Sequence, residues 1–491
     1  MCLIRTVTVA MALTGLLSPA VAHAAEPSPN VLLIVADDLR ACLGTYGSTV
    51  CKTPNLDRLA REGVQFNRAY CQFVVCGPSR ASIMSGLYPG TTKMLGNSQA
   101  VGSYKSTNPH LKAHPSVAEL LRRNGYFSAR VSKIYHMSVP GGIEAGTAGG
   151  DEPDSWDWTY NVCAPESRTP GKLRDLTPDR DWGTKFATLE VDDAAATQAD
   201  VLSAQQAVAI LESRSSRTTS PGDKRIKPEA PFFLAVGFVR PHVPFVVPRR
   251  WARQYAPTDM VPPKVPVGDL DDVPEPGRRM SNALRYKMSE AAQQEAIAGY
   301  YASVSFMDEQ VGKLLDALDR LRLRQNTVVV FVSDHGYNLG EHDCWQKLSL
   351  FEDSTRVPLI ISAPRHKAAW GKKSEALVEL VDLYPTLADL AGAGSKIPAL
   401  VQGRSLRPLL EEPTRDDWQR RSAYTLNGDG ESVRTRRWRF TSWGKAGEEL
   451  YDHDHDKEEY KNLARDATYT NVLKEMRVEL GAARERSVGP K

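Results

Sequence analysis

Apolar runs without polar alternation recur along the chain, each ending abruptly in ionisable residues. Residues 30–36 (NVLLIVA) lead into Asp37 and Asp38. Residues 126–131 lead into Ser132-Lys133-Ile134-Tyr135-His136, and residues 232–239 into Arg240-Pro241-His242. Residues 327–332 lead into Ser333-Asp334-His335-Gly336, and 357–362 form a fifth run. Continuous, β-branched runs of this length predict strands buried on both faces. Between them the period changes. Residues 116–124 carry Val117, Leu120 and Leu121 at helical spacing. Residues 294–323 carry Ile297, Tyr301, Val304, Val311, Leu314, Leu315, Leu318 and Leu321, and 376–391 repeats the pattern.

Strand and helix in alternation predict an α/β fold with a large, mostly parallel sheet between helices. Ligands bind such sheets beyond the carboxyl ends of the strands. Four of the five runs place ionisable residues there, which marks that edge as a candidate active site. Residues 140–180 are rich in Gly, Pro and Trp without a period, 214–230 are polar and basic, and 261–279 hold five prolines; all three predict loops over the rim. The pattern shifts over 394–420. Beyond it, residues 438–443 and 449–451 predict short antiparallel strands. The expected division is a catalytic domain over 27–412 and a smaller C-terminal α+β subdomain over 413–491.

The N-terminus reads as a secretion signal. Arg5 precedes an apolar run over 7–17, too short to span a bilayer, and Ala22-His23-Ala24 fits a cleavage site. A signal peptide over 1–24 predicts a periplasmic or secreted protein. No other segment has the length of a membrane span. Of 491 residues 41% are hydrophobic and 25% charged, which excludes a disordered chain. A net charge of +3, from 62 basic and 59 acidic residues, gives no basic face for nucleic acid and leaves room only for a local basic pocket. Seven cysteines are too few for a disulfide scaffold, and the number is odd.

One cysteine stands in a motif. In Cys76-Gly77-Pro78-Ser79-Arg80, Pro78 suits the first turn of a helix. Cys76 then lies at the helix N-terminus, where negative charge is stabilised, with Arg80 one turn on. Asp37, Asp38, Asp334 and His335 form a donor set for a hard divalent cation, with zinc kept open by the imidazole. Lys133, His136, His242 and Lys347 lie just after strands or in loops near the same edge. Together with Arg80 they suit the oxygens of a bound sulfate or phosphate.

These motifs resemble those of the type I, formylglycine-dependent sulfatases of the alkaline phosphatase superfamily, and among them the iduronate-2-sulfatases. The similar stretches are 30–44 (NVLLIVADDLRACLG), 75–86 (VCGPSRASIMSG), 132–136 (SKIYH), 231–245 (PFFLAVGFVRPHVPF), 301–319, 333–347 (SDHGYNLGEHDCWQK) and 378–392. They cover nearly all of residues 28–395 in the family's order. Residues 449–452 with 462–464 also resemble the family's C-terminal subdomain.

The resemblance implies a catalytic sandwich with a smaller C-terminal subdomain, and a sulfuric ester hydrolase. Cys76 would be oxidised to 3-oxoalanine (formylglycine) by a formylglycine-generating enzyme. One hydroxyl of the aldehyde hydrate would attack sulfur, and the second would expel sulfate. Asp37, Asp38, Asp334 and His335, with the modified Cys76, would hold Ca²⁺, preferred over Mg²⁺. Arg80 and Lys133 would hold the hydroxyls, and His136 would be the base of the elimination. His242 and Lys347 would bind sulfate, with one of them, His242 first, protonating the leaving alcohol. Tyr337 and Glu341 would join Lys133, His242 and Lys347 in binding substrate. The implied substrate is a sulfated carbohydrate, 2-O-sulfated uronic acid in a polysaccharide fragment. The alternatives are a formylglycine-dependent phosphodiester or phosphonate monoester hydrolase and a non-catalytic glycan-binding relative.

The chain departs from the resemblance at Tyr337, where many members have Trp, and over 137–231, which is only loosely similar. Other features read as structural: the turn Asp452-His-Asp-His-Asp456, and Asp308 on its helix. Trp156, Trp158 and Trp182 fit a sugar-binding rim or a loop anchor equally well. Cys42 and Cys51 have the spacing of a short-loop disulfide.

Overall fold

The computed structural model describes residues 28–97, 103–194, 197–215, 229–280 and 286–489. The predicted signal peptide and most of the basic segment over 214–230 lie outside them. The strands, in chain order, are β1 (Asn30–Asp37), β2 (Val64–Tyr70), β3 (Phe127–Ser132), β4 (Trp158–Tyr160), β5 (Gly171–Asp175), β6 (Ala187–Val191), β7 (Phe232–Pro241), β8 (Phe245–Pro248), β9 (Thr327–Ser333), β10 (Asn338–Leu339), β11 (Trp345–Gln346), β12 (Arg356–Ser362), β13 (Lys373–Glu379), β14 (Ala423–Leu426), β15 (Glu431–Arg434), β16 (Trp438–Ser442) and β17 (Glu448–Asp452).

The main sheet has eight strands in the order β13-β2-β12-β9-β1-β7-β3-β4. β1 runs parallel to both β7 and β9, with Leu33 opposite Ala235 on one side and Val330 on the other. β12 is antiparallel to both of its neighbours, so the sheet is mostly rather than wholly parallel. The unbroken apolar runs have the cause expected for doubly covered strands. Val31, Leu33 and Val35 of β1 pack into a core with helices Cys76–Ser85, Val117–Arg123 and Leu383–Leu390. Leu32, Ile34 and Ala36 face the opposite core, shared with helices Pro54–Arg61, Ala199–Ser215 and Glu290–Arg320.

The pattern over 376–391 does not form one helix. Its first part belongs to strand β13, and the helix spans only Leu383–Leu390. Leu377 and Val378 followed by Leu380, Val381 and Leu383 satisfy strand and helix spacing alike, the ambiguity typical of short apolar runs. The loop reading of 140–180 also gives way in places to β4 and β5.

Strands β14 to β17 form an antiparallel meander, against which the terminal helix Thr470–Ser487 packs. This small sheet is tied to the segment that leads into Cys76. The Leu426 amide donates to Gln72 O at 3.0 Å, the Val74 amide returns to Leu426 O at 3.3 Å, and Thr425 Oγ1 donates to Cys71 O at 2.6 Å.

Candidate active site

Cys76 opens the helix Cys76–Ser85, every residue of which is buried. Val75 precedes it in extended conformation and provides no side-chain cap. The Gly77 amide is taken instead by Asn97 Oδ1 at 2.8 Å. The N-terminal end of the helix, with its partial positive charge, meets the residues that follow β1 and β9, Asp38 and His335. Cys76 Sγ lies 3.3 Å from His335 Nε2, 3.4 Å from Lys347 Nζ and 3.7 Å from Asp38 Oδ1. Arg80, four residues on and so on the same helix face, donates from Nε to Asp334 Oδ2 at 2.7 Å and from Nη2 to Asp37 Oδ1 at 3.1 Å. Its remaining hydrogen bonds go to the carbonyls of Lys133, Ile134 and Ala36.

Each strand end delivers its predicted group. Lys133 Nζ, fully buried after β3, donates to Asp37 Oδ2 at 2.5 Å. Lys347 Nζ, beyond the β10–β11 ribbon, donates to both oxygens of Asp38 at 2.8 and 3.0 Å. His242 Nε2, beyond β7, lies 3.8 Å from Asp38 Oδ2. The backbone is strained where it turns these groups inward: Asp38 (φ 65°), Ser132 (61°), Gln346 (69°) and Leu348 (91°) are left-handed without being glycine. Such strain persists only where the surroundings enforce it, and it clusters at working sites. Gly237 serves the same end by having no side chain. A Cβ there would lie 2.0 Å from the Lys133 carbonyl oxygen.

Three buried carboxylates (Asp37, Asp38, Asp334) face two buried cations (Arg80, Lys133) and the half-buried Lys347. Burial works to raise Asp37, but Lys133 and Arg80 outweigh it and hold the carboxyl well below its usual range. Asp38 is held low against burial by His242, Lys347 and His335. Burial dominates at Asp334, which is raised despite Arg80. Burial and the Asp37 charge push the Cys76 thiol far up, so an unmodified Cys76 is a protonated thiol and a poor nucleophile. Burial, then Lys133, carries His136 down to about 2, and burial carries His242 down to about 4. Lys347 is raised because Asp38 overcomes its desolvation.

The donor set fits a hard divalent cation. Ligand atoms of Asp37, Asp38, Cys76 and His242 lie within 4.8 Å of one another, as do those of Cys76, Asp334 and His335. Carboxylate oxygens predominate, as calcium and magnesium require. His335 Nδ1 bonds to its neighbour's carbonyl, Gly336 O, at 2.9 Å, which leaves the Nε2 lone pair facing the carboxylates. A third grouping of Glu352, His453 and Glu459 is occupied by Arg434 and Arg439 and serves as an ion-pair network.

Other predicted residues fall differently. His136 is at the edge of the cluster, and its Nδ1 has no partner among the described residues. Tyr337 is fully buried with its ring 5.1 Å from that of Tyr300, and its hydroxyl has no partner among the described residues. Glu341 is paired with Arg40 Nη1 at 2.6 Å and accepts the Leu339 amide at 2.7 Å. Trp156 packs on Phe233 inside the core, so it anchors rather than lines a rim. Asp308 accepts the Asn55 and Leu56 amides and is structural. In the 452–456 turn, Asp452 and Asp456 accept nearby amides, as a structural turn requires. Cys42 and Cys51 are buried thiols.

Residues with no sequence signal also serve the site. Tyr300 Oη donates to Asp38 O at 2.8 Å and accepts the Arg40 amide at 3.0 Å, fixing the strained aspartate from the helix Glu290–Arg320. Asn427, in the β14–β15 turn, donates to Leu348 O at 3.1 Å beside Lys347.

Comparison with known proteins gives concordant matches. Residues 29–393 match the Sulfatase family, and residues 340–486 match the family described as N-sulphoglucosamine sulphohydrolase, C-terminal. A sulfatase of Formosa agariphila is 31% identical over 469 residues, covering 92% of this chain and 86% of that protein. The iduronate 2-sulfatase of Mus musculus is 32% identical over 420 residues, covering 76% and 71%. The crystal structure of the phosphonate monoester hydrolase of Agrobacterium radiobacter has the same fold, with a TM-score of 0.72 at 24% identity, covering 94% and 96%.

Proposed function

Because the chain belongs to the sulfatase family and is a sulfuric ester hydrolase, we propose that it removes O-sulfate from a sulfated sugar, a 2-O-sulfated uronic acid in a polysaccharide fragment, using Cys76 in its oxidised 3-oxoalanine form. The observation that carries this reading is the position of Cys76. It is buried on a helix N-terminus, within 3.7 Å of a carboxylate, an imidazole and an ammonium group, with Arg80 one turn behind. The likeness to an iduronate 2-sulfatase supports the choice of sugar.

In this reading the oxidised residue supplies a hydroxyl nucleophile, and Asp37, Asp38, Asp334 and His335 would hold a calcium ion, whose positive charge would supply Lewis-acid chemistry toward the sulfate oxygens. The side chains provide the rest. Arg80 and Lys133 fix the carboxylates and hold the hydroxyls in register. Lys347, kept cationic by Asp38, meets the sulfate oxygens together with His242. His242 Nδ1 is engaged with Val243 O at 2.6 Å, so Nε2 is the atom that faces the ester. The imidazole is neutral in the resting site, and a seated sulfate anion draws a proton onto Nε2. A sugar alcohol is a poor leaving group, and that proton is what it needs to depart. His136, neutral in the resting site, is assigned the proton released in the final elimination, when the adjacent sulfate group offsets the Lys133 charge that, after burial, holds the imidazole low. The protein is expected to act in the periplasm or outside the cell, and among the described residues no helix is long and apolar enough to cross a membrane.

Mass spectrometry of the peptide containing Cys76, from protein made in a host that carries out the oxidation, should show an aldehyde in place of the thiol. Aryl sulfate should be turned over faster than aryl phosphodiester, and Cys76→Ala should abolish turnover without unfolding the chain. An unmodified thiol in fully active protein refutes the nucleophile. A preference of orders of magnitude for the phosphodiester refutes the sulfate ester as the working substrate.

A further inference from the structure

His242 enters the site on an unusual length of backbone. Its imidazole has one fixed hydrogen bond, from Nδ1 to the carbonyl of the next residue. The place of Nε2 is therefore set by the course of the main chain over 239–244. The sheet does little to set that course. The register of β7 against β1 slips between Gly237 and Pro241, and Pro241 and Pro244 have no N–H to give a neighbouring strand.

Three ionisable side chains, each no more than 2% exposed, take over. Asp200, in the first turn of the helix Ala199–Ser215, accepts the Val239 amide on Oδ1 at 2.7 Å and the Arg240 amide on Oδ2 at 3.0 Å. Arg240 turns its guanidinium back on its own segment. Nη1 donates to His242 O at 2.7 Å and Pro244 O at 3.0 Å, spanning the residue that carries the imidazole. Nη2 is held by Glu166 Oε2 from the turn Glu166–Arg168, where Glu166 itself is left-handed (φ 33°).

Stability is a weak reason for such a triad. Buried ion groups roughly break even against apolar side chains of the same volume. What the triad provides is geometry: a planar fork can hold two carbonyls at once, and a lysine ammonium cannot hold them in the same fixed relation. We infer that Arg240 is a positioning residue of the sulfate-ester hydrolysis, clamped by Asp200 and Glu166, and that it acts on the reaction only through His242. The inference rests on the reading of His242 as the group that protonates the leaving alcohol.

The test is a double-mutant cycle of Arg240→Lys and His242→Ala, assayed on sulfate esters whose leaving groups range from nitrophenol to weakly acidic phenols. Displacement of a reacting group by about an ångström costs about 100-fold. Arg240→Lys should lower kcat by about 10- to 100-fold on the poorest leaving groups and only slightly on the nitrophenyl ester, with KM little changed. In the His242→Ala background the same substitution should cost less than about twofold. Equal losses in both backgrounds, or a loss independent of the leaving group, overturn the inference and leave Arg240 a structural residue. A fully active His242→Ala refutes the prior reading of His242, which separates that failure from the first. If Arg240→Lys does not fold, Glu166→Gln, which removes the counter-charge and keeps the guanidinium, is taken through the same cycle with the same expected pattern.

Discussion

Arg80→Gln offers the sharpest test of the charge balance at the site. The guanidinium is fully buried and holds two carboxylates, Asp334 at 2.7 Å and Asp37 at 3.1 Å, together with three backbone carbonyls. Glutamine can replace one of these bonds and none of the charge. With Arg80 present, three carboxylates face three cations; without it, one negative charge is left uncompensated among fully buried carboxylates. Removing one partner of a buried pair costs about 3–5 kcal/mol. That cost should be seen in full in chelator. Saturating calcium should reduce it, because the bound cation restores the balance. Calcium should therefore stabilise the variant more than the parent, by at least about 1.4 kcal/mol, equivalent to a tenfold gain in affinity. Urea midpoints of both proteins, with chelator and with calcium, measure all four terms. A penalty below about 1 kcal/mol in chelator, or the same penalty in both conditions, refutes the account of Arg80 as the counter-charge of this cluster.

Gly237→Ala should lower activity at least tenfold and cost about 1–3 kcal/mol or more, because its Cβ would meet the Lys133 backbone at 2.0 Å. Gly428→Ala, with nothing within 4 Å of its Cβ, is the control and should be near neutral. Burial raises Glu449 from 4.5 to about 7, against hydrogen bonds from Tyr451 and Trp443. The folded chain then holds a proton that the unfolded chain releases between those values, so this group's contribution to stability falls as pH rises from about 4.5 through 7. The full effect is on the order of 3 kcal/mol. Glu449→Gln should match the parent near pH 5 and exceed it at pH 8 in urea midpoint, and parallel profiles would show that Glu449 is not the buried acid.

Much of the site was legible because the chemistry sits where apolar runs stop. Asp37, Asp38, Lys133, His242, Asp334 and His335 all follow strands whose burial dictates unbroken hydrophobicity, and the parallel order of β1, β3, β7 and β9 brings their ends together. Cys76 was legible from its motif, and the structure gives the reason: Arg80 lies four residues away on the same helix face. The less legible parts depend on contacts distant in sequence. Nothing local distinguishes Glu166, Asp200 and Tyr300 from ordinary surface or core residues, since their roles arise from pairing across 74, 40 and 262 positions. The direction of β12 is equally hidden, because an apolar run has the same composition in either orientation. Glu341 is a further case: the family resemblance implies substrate contact, and nothing local announces its pairing with Arg40, 301 positions away.

The bond from Asn427 to the carbonyl beside Lys347 bears on how such an enzyme can be divided. The small C-terminal sheet holds the backbone next to Lys347, and through Leu426 it also holds the approach to Cys76. The matched C-terminal family begins at residue 340, ahead of Lys347 and well before β14, so the boundary drawn by homology already passes through the site. A truncation at 412 would remove part of the scaffold of the reaction rather than an appendage. The chain should behave as one inheritable unit, in which exchanging the C-terminal sheet between relatives changes the setting of Lys347 along with whatever else the sheet carries.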